Sequence, residues 1–244
     1  MKLFIAKNKK NGNKKAFDVI KKQIIKKPVS LIGLAVGETT DGLYKLISKD
    51  ASLNPKIWEK VRLFQIDENL GISPSSPLSF NYEIRKELKQ LFKIINPKNI
   101  FLIDGTKNPK IIIKEAYKFI RKNNSIDLTI LGLGPEYDPH IGYNTSGKSS
   151  ISSRMRVVKL HPKIVEKTKR RGGEGASRGI TLGIKDILDS KKVLLIAYGK
   201  HKAMSVRLAL GRKVNMKIAS ASALLLHKNL TVVTDKEASC KIIV

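Results

Sequence analysis

The chain has 244 residues, of which 41% are hydrophobic and 6% aromatic, a composition typical of globular proteins. Its one cysteine, Cys240, excludes a disulfide framework, and four scattered histidines give no metal-ligand spacing. The formal net charge of +28 comes from lysines in every segment, whereas nucleic-acid binders concentrate basic residues on one face. We therefore expect no metal and no specific nucleic-acid partner.

The apolar runs of the chain are too short for targeting or membrane insertion. The run near the N-terminus, residues 3–5, lies between lysines and is shorter than a signal-peptide core. No later run approaches the length of a membrane span. These features predict a cytoplasmic protein with no membrane partner.

Short apolar runs alternate with amphipathic stretches along the chain. The runs predicted to be strands are Val29–Val36, Val61–Ile66, Ile100–Ile103, Ile126–Leu131, Val193–Tyr198 and Leu230–Val233. Between them, helices are predicted at Asn13–Lys26, at Ser79–Ile95 and from Pro109 onward. This alternation predicts an α/β fold: a single domain over residues 1–244, with a Rossmann-like, mainly parallel sheet and helices on both faces.

Polar or glycine-rich loops follow several of the predicted strands. They are Gly37–Gly42, Asp67–Asn69, Gly132–Asn144 and Gly199–Lys202. Open α/β sheets bind ligands beyond the carboxyl ends of their strands. The ligand site is therefore predicted where these loops meet.

Two of these loops are suited to an anion. Gly37–Gly42 offers backbone N–H groups and the hydroxyls of Thr39 and Thr40 to a phosphate, although a tight turn explains the loop equally well. Glu38 argues against a close phosphate unless its side chain points away. Gly199–Lys202 has the same strand-to-helix context and includes a lysine. Two such loops together favour a phosphate site.

Three side chains are candidates for acid–base chemistry. Asp67 ends an apolar strand, where burial raises the pKa of a carboxyl and makes it a better base near neutrality. A helix cap or turn is the alternative role for this residue. In Asp138-Pro139-His140, a carboxylate next to the histidine can fix its tautomer for proton relay, although a structural role is common for a lone histidine.

Residues Gly142–Ser149 match the phosphate-binding pattern G-x-x-x-x-G-K-S. That pattern requires a strand that enters the loop and a helix that leaves it. The preceding predicted strand ends about ten residues earlier, and Ile151–Val158 is serine-rich and then extended. We interpret the match as accidental.

Five blocks, in order, resemble the glucosamine-6-phosphate deaminase (isomerase) family. They are residues 31–42, 64–80, 131–158, 180–203 and 219–237. The 6-phosphogluconolactonases of the same superfamily are similar in the glycine–aspartate–histidine loop. That family typically has an arginine after its Asp-Glu pair, where this chain has Asn69.

The resemblance implies a role for each candidate residue. Asp67 would take the proton at C2 of the opened sugar and return it to C1, while His140, oriented by Asp138, would act on the ring oxygen. The residues implied in phosphate binding are Gly37, Thr39, Thr40, Gly42, Arg170 and Lys202. The partner would be a phosphorylated amino sugar, converted to fructose 6-phosphate and ammonia without cofactor or metal. The chain would act as a monomer or homo-oligomer.

The chain also departs from the family pattern. The family has a glutamate after the loop asparagine, where this chain has Thr145; Pro139 replaces a glycine, and Glu136 is a candidate substitute carboxylate. The segment Arg170–Arg178 is predicted to be mobile, and the stretch that begins there is shorter than the family's lid. The alternatives are a 6-phosphogluconolactonase-like hydrolase, an isomerase of another hexosamine phosphate, and a non-catalytic sugar-phosphate-binding protein.

Overall fold

The computed structural model describes residues 1–170 and 176–242, and at residues 167, 168 and 170 it describes the backbone alone. Most of the predicted mobile segment Arg170–Arg178 therefore lies outside the described residues. The strands are β1 (Lys2–Ala6), β2 (Leu31–Leu34), β3 (Arg62–Gln65), β4 (Asp67–Asn69), β5 (Ile100–Phe101), β6 (Leu128–Gly132), β7 (Arg156–Lys159), β8 (Arg178–Thr181), β9 (Val193–Ala197) and β10 (Leu230–Asp235).

The helices alternate with these strands. They are α1 (Lys9–Lys26), α2 (Asp41–Leu53), α3 (Pro55–Trp58), α4 (Phe80–Glu87), α5 (Lys89–Phe92), α6 (Pro109–Lys122), α7 (Pro162–Arg170), α8 (Ile184–Leu188), α9 (Ala203–Ala209) and α10 (Lys236–Ser239). Short 3₁₀ helices cover Pro97–Asn99, Lys200–Lys202 and Ser220–Leu226. No helix in the described part of the chain is long and apolar enough to cross a membrane.

The large sheet has seven strands in the order β1-β10-β9-β6-β2-β3-β5, and every neighbouring pair is parallel. The predicted parallel α/β sheet is confirmed. After β2 the chain adds β3 and β5 on one side, and after β6 it adds β9 and β10 on the other side. The strand order therefore reverses between β2 and β6. The edge strand β1 was not predicted, because its apolar run is short and flanked by lysines.

Helices pack on both faces of this sheet, as predicted. In β9, Val193 and Leu195 belong to a buried cluster that includes residues of α6, α8 and α9. Leu194 and Ile196, which point the other way, belong to a cluster with residues of α1, α2, α4 and α5. Alternate strand residues therefore fill two separate apolar layers.

Two predicted helix boundaries were wrong. The prediction Ser79–Ile95 divides into α4 and α5, because Leu88 leaves the helical conformation at φ −99° and ψ 23°. The prediction Asn13–Lys26 starts too late, because the Oδ1 atom of Asn8 accepts the N–H of Asn11 at 3.0 Å and caps α1.

A second sheet of three antiparallel strands, in the order β4-β8-β7, was not predicted. One residue, Ile66, separates β3 from β4, and Asp67 pairs with Thr181 beyond the carboxyl edge of the large sheet. The segment 142–149 lies in turns between β6 and β7, with no strand directly before it and no helix after it. The segment therefore lacks the strand and the helix that the phosphate-loop pattern requires.

Candidate active site

A cavity of about 730 Å³ lies at the carboxyl ends of the parallel strands. The loop Ala35–Thr40, after β2, and the loop that follows β6 both line it. These are the two strands between which the strand order reverses. Ligands of open α/β sheets bind at such reversal points.

The structure brings most of the predicted site residues to this cavity. Those that line it are Gly37, Thr39, Thr40, Asp67, His140 and Lys202. Asp138 lies behind His140 and is buried. Gly42 is outside the lining, because it lies in the first turn of α2 against the side chain of Asn13. Arg170 is the last residue of α7, and its side chain is outside the described residues.

The loop after β2 folds into a closed turn. Gly37 has φ +146°, a conformation that L side chains rarely adopt, which explains the glycine. The N–H and the hydroxyl of Thr40 both donate to the Gly37 carbonyl at 2.8 Å, so the Thr40 hydroxyl closes the loop. No side chain caps α2, so no capping side chain competes with an anion for its first N–H groups.

The loop after β9 is held by an aspartate. Gly199 has φ +86°, and its N–H donates to both carboxylate oxygens of Asp235, at 3.0 and 3.1 Å. The Nζ atom of Lys202 donates to the Leu133 carbonyl at 2.7 Å, which carries its positive charge to the loop after β6. Both anion-suited loops thus border one cavity.

Asp67 places a buried carboxyl in this cavity. It is 5% exposed, and its Oδ1 atom has no hydrogen-bond partner among the described residues. Burial, followed by the charge of Glu68, raises the pKa of Asp67 to about 8. Such a group can take up and release a proton near neutral pH.

His140 and Asp138 form a hydrogen-bonded pair. The Nδ1 atom of His140 lies 3.0 Å from Oδ2 of Asp138, and Oδ1 of Asp138 accepts the N–H of Ser146 at 2.9 Å. Burial alone would raise the pKa of Asp138, but the bonds from His140 and Ser146 outweigh burial and lower it. An ionised Asp138 fixes the proton on Nδ1 and leaves Nε2 to exchange a proton with a ligand.

Aromatic side chains form one wall of the cavity, and the sequence reasoning missed this wall. The rings of Phe80 and Tyr143 are stacked with centroids 5.7 Å apart. The Tyr143 hydroxyl donates to Oδ1 of Asn69 at 2.8 Å, and the Asn69 amide donates to the Leu78 carbonyl at 2.9 Å. Asn69 therefore holds the wall and lies outside the lining.

Lysines from the N-terminal segment also border the cavity. Lys7 and Lys9 line it, and Lys9 Nζ donates to the Glu38 carbonyl at 2.8 Å. These lysines come directly after β1. If β1 had been predicted, polar residues after a strand would have indicated this part of the site as well. Glu136 is exposed and outside the lining, so the structure does not support it as a substitute carboxylate.

The described residues contain no group of three or more His, Cys, Asp or Glu side chains placed to hold a metal ion.

The sequence model of the family described as glucosamine-6-phosphate isomerases/6-phosphogluconolactonase matches residues 9–232. The chain belongs to this family. Membership makes it an enzyme, with the mostly parallel sheet that its structural neighbours share.

Individual relatives cover nearly the whole chain. It is 37% identical over 249 residues to a glucosamine-6-phosphate deaminase of Clostridium botulinum (strain Loch Maree / Type A3), with 99% of each chain covered. It is 34% identical over 247 residues to a glucosamine-6-phosphate deaminase of Thermoanaerobacter sp. (strain X514), with 98% of this chain and 94% of the relative covered.

Solved structures of the family have the same fold. The structure of a monomeric glucosamine-6-phosphate deaminase has a TM-score of 0.89 and 26% identity, with 99% of this chain and 100% of that chain covered. A 6-phosphogluconolactonase from Trypanosoma brucei has a TM-score of 0.78 at 17% identity, with 99% and 98% covered. The second likeness shows the fold alone.

Proposed function

We propose that the protein is a glucosamine-6-phosphate deaminase, which converts glucosamine 6-phosphate and water to fructose 6-phosphate and ammonia. The observation that carries this proposal is Asp67, a buried carboxyl with an unbonded oxygen in the same cavity as two anion-suited loops. The deaminases that share at least 34% identity with nearly the whole chain support the choice of reaction.

The phosphate ester would bind at the end of the cavity near the strand reversal. Backbone N–H groups of the Gly37–Thr40 loop other than that of Thr40, the first turn of α2 and the ammonium of Lys202 are the groups suited to an anion. Arg170 stays a predicted phosphate contact on the family resemblance. A fixed phosphate orients the sugar and places C2 at the carboxyl of Asp67.

Proton transfers by His140 and by Asp67 follow from this placement. His140, with Nδ1–H held by Asp138, moves a proton through Nε2 at the ring oxygen and opens the sugar ring. Asp67 then takes the proton from C2 while O1 gains a proton from water, which gives an enolamine, and Asp67 returns its proton to C1. Water hydrolyses the resulting iminium at C2 to the ketone and releases ammonia.

Thr145 is a departure from the family pattern that favours an alternative function. It replaces a glutamate of the family pattern, which favours a non-catalytic sugar-phosphate-binding protein as the second candidate. The overall similarity to named deaminases argues against a lactonase and against an isomerase of another hexosamine phosphate. The cytoplasm stays the predicted compartment, and the predicted assembly stays a monomer or homo-oligomer.

Ammonia release from glucosamine 6-phosphate tests the proposal. The wild-type protein should release ammonia, and Asp67→Asn should reduce the rate about 10²–10⁴-fold while the substrate still binds. Asp18→Asn, the same change on the exposed surface of α1, is the matched control and should keep full activity.

Each other outcome contradicts the proposal in a specific way. Unchanged ammonia release in Asp67→Asn would exclude Asp67 as the base. Binding of the sugar phosphate without turnover by the wild-type protein would support the non-catalytic alternative. Accelerated opening of 6-phosphogluconolactone without deamination would support the hydrolase.

A further inference from the structure

Glu68 follows Asp67 directly in β4 and is fully buried. Successive side chains of a strand point to opposite faces, so the two carboxyls lie on opposite sides of the β4 backbone. Asp67 lines the cavity, whereas Glu68 is outside the lining. The Asp67 carboxyl is therefore accessible to a ligand, whereas the Glu68 carboxyl lies on the other side of the strand.

Five donors surround the Glu68 carboxyl. Its Oε1 atom accepts the N–H groups of Asn69 at 2.8 Å and Phe80 at 2.9 Å. Its Oε2 atom accepts the N–H of Asn81 and the hydroxyl of Ser79, both at 2.8 Å, and the amide of Gln65 at 3.0 Å. The carboxyl is satisfied entirely by short polar contacts.

This donor set favours the ionised form of Glu68. Burial raises the pKa of Glu68 above its ordinary value, and the hydrogen bonds from Phe80, Gln65, Asn81 and Asn69 limit that rise without cancelling it. Four of the five partners are N–H groups, which cannot accept a hydrogen bond from the O–H of a carboxylic acid. Protonation would therefore break at least one hydrogen bond.

Glu68 also fixes the aromatic wall of the cavity. Phe80 and Asn81 are the first residues of α4, and their N–H groups have no acceptor within the helix. Glu68 accepts both of them, which anchors the first turn of α4 to β4. The ring of Phe80 lies in that turn and stacks on Tyr143 beside the cavity.

We propose that Glu68 is a positioning residue for the reaction at Asp67, acting through the first turn of α4 and through its own buried negative charge. This inference rests on the proposed function of Asp67 as the base. A buried charge next to Asp67 disfavours a second negative charge there. Asp67 consequently keeps its proton to higher pH and, once ionised, is a stronger base.

The test is the pH profile of kcat/KM for Glu68→Gln in the full-length protein. This change keeps the shape of the side chain, removes the charge and turns an NH₂ group toward the N–H donors of one carboxylate oxygen. The pKa of Asp67 should fall, so the base stays ionised at lower pH and the acid limb moves down by about one pH unit. KM should change less than about threefold, because Glu68 does not touch the phosphate loops.

Ser79→Ala is the matched control, because it removes one donor to Glu68 and the cap of α4 but leaves the charge. Its melting temperature should fall while its acid limb stays at the wild-type pH. A purely structural role for Glu68 would make the two variants alike. An unmoved acid limb in folded Glu68→Gln would overturn the inference.

A carboxyl ¹³C NMR titration of the wild-type protein covers the case in which Glu68→Gln does not fold. The inference requires Glu68 to stay ionised over the whole range in which Asp67 titrates. Protonation of Glu68 within that range would overturn it. Because this titration needs no turnover, it remains decisive even where the wild-type protein releases no ammonia, which would refute only the proposed function.

Discussion

The Nδ1 atom of His140 lies 3.0 Å from the Oδ2 atom of Asp138, across a proline that separates them in the chain. Pro139 does not disrupt this pair, because its carbonyl accepts the N–H of Ala221 at 3.1 Å and the N–H of His140 donates to the Asp138 carbonyl at 2.8 Å. The departure from the family's glycine at this position therefore leaves the imidazole held by its carboxylate.

Asp138→Asn should reduce ammonia release about 10²–10⁴-fold. The carboxylate accepts two N–H donors, from His140 and Ser146, and an asparagine presents an NH₂ group to one of them. Asp104→Asn, at a partly exposed loop residue outside the lining, is the control. Steady-state kcat measures the effect, and a kcat within twofold of the wild-type value would exclude this role for the pair.

Lys202→Ala should raise KM about 10–100-fold with a smaller effect on kcat, because a charge-assisted contact to phosphate is lost. Lys200→Ala removes an exposed lysine from the same 3₁₀ turn and should leave KM unchanged. Equal KM values for the two variants would show that Lys202 does not hold the phosphate.

The acid limb of the kcat/KM profile should lie near pH 8. Asp67 acts as a base only when ionised, and burial together with Glu68 raises its pKa to about 8. Activity should therefore fall tenfold per pH unit below this value and level off above it. A limb near pH 4, the range of an ordinary aspartate, would contradict the burial of the base.

Gly199→Ala should lower the free energy of unfolding by about 1–2 kcal/mol, because φ +86° places an L side chain in a strained conformation. The added Cβ would also lie 3.0 Å from Nδ1 of His201. Gly211→Ala, whose Cβ would meet nothing closer than 3.5 Å, is the control. Urea unfolding measures both, and equal stability of the two variants would contradict the argument.

The parallel sheet was predictable because its central strands are buried on both faces. Val193–Ala197, for example, is an uninterrupted apolar run that ends at a glycine loop. The reversal between β2 and β6 was not predictable from one chain, because strand order depends on contacts between distant segments. The polar residues after the strands nevertheless indicated the correct edge of the sheet.

The second sheet and the wall it supports were beyond sequence reasoning. Strand β4 has three residues, all polar, so neither hydrophobic alternation nor β-propensity indicates it. Its pairing with β8 buries Glu68 and Asn69, which a sequence pattern assigns to the surface. The contacts of these two residues with α4 and Tyr143 appear only in the folded structure.

The central claim is that one cavity holds the phosphate and presents C2 of the sugar to Asp67. A crystal structure of Asp67→Asn with glucosamine 6-phosphate tests it most directly. The predicted result is a phosphate bound by the Gly37–Thr40 loop and Lys202, with C2 about 3–3.5 Å from the side chain at position 67. A phosphate bound away from both groups, or a C2 atom beyond reach of that side chain, would contradict the account.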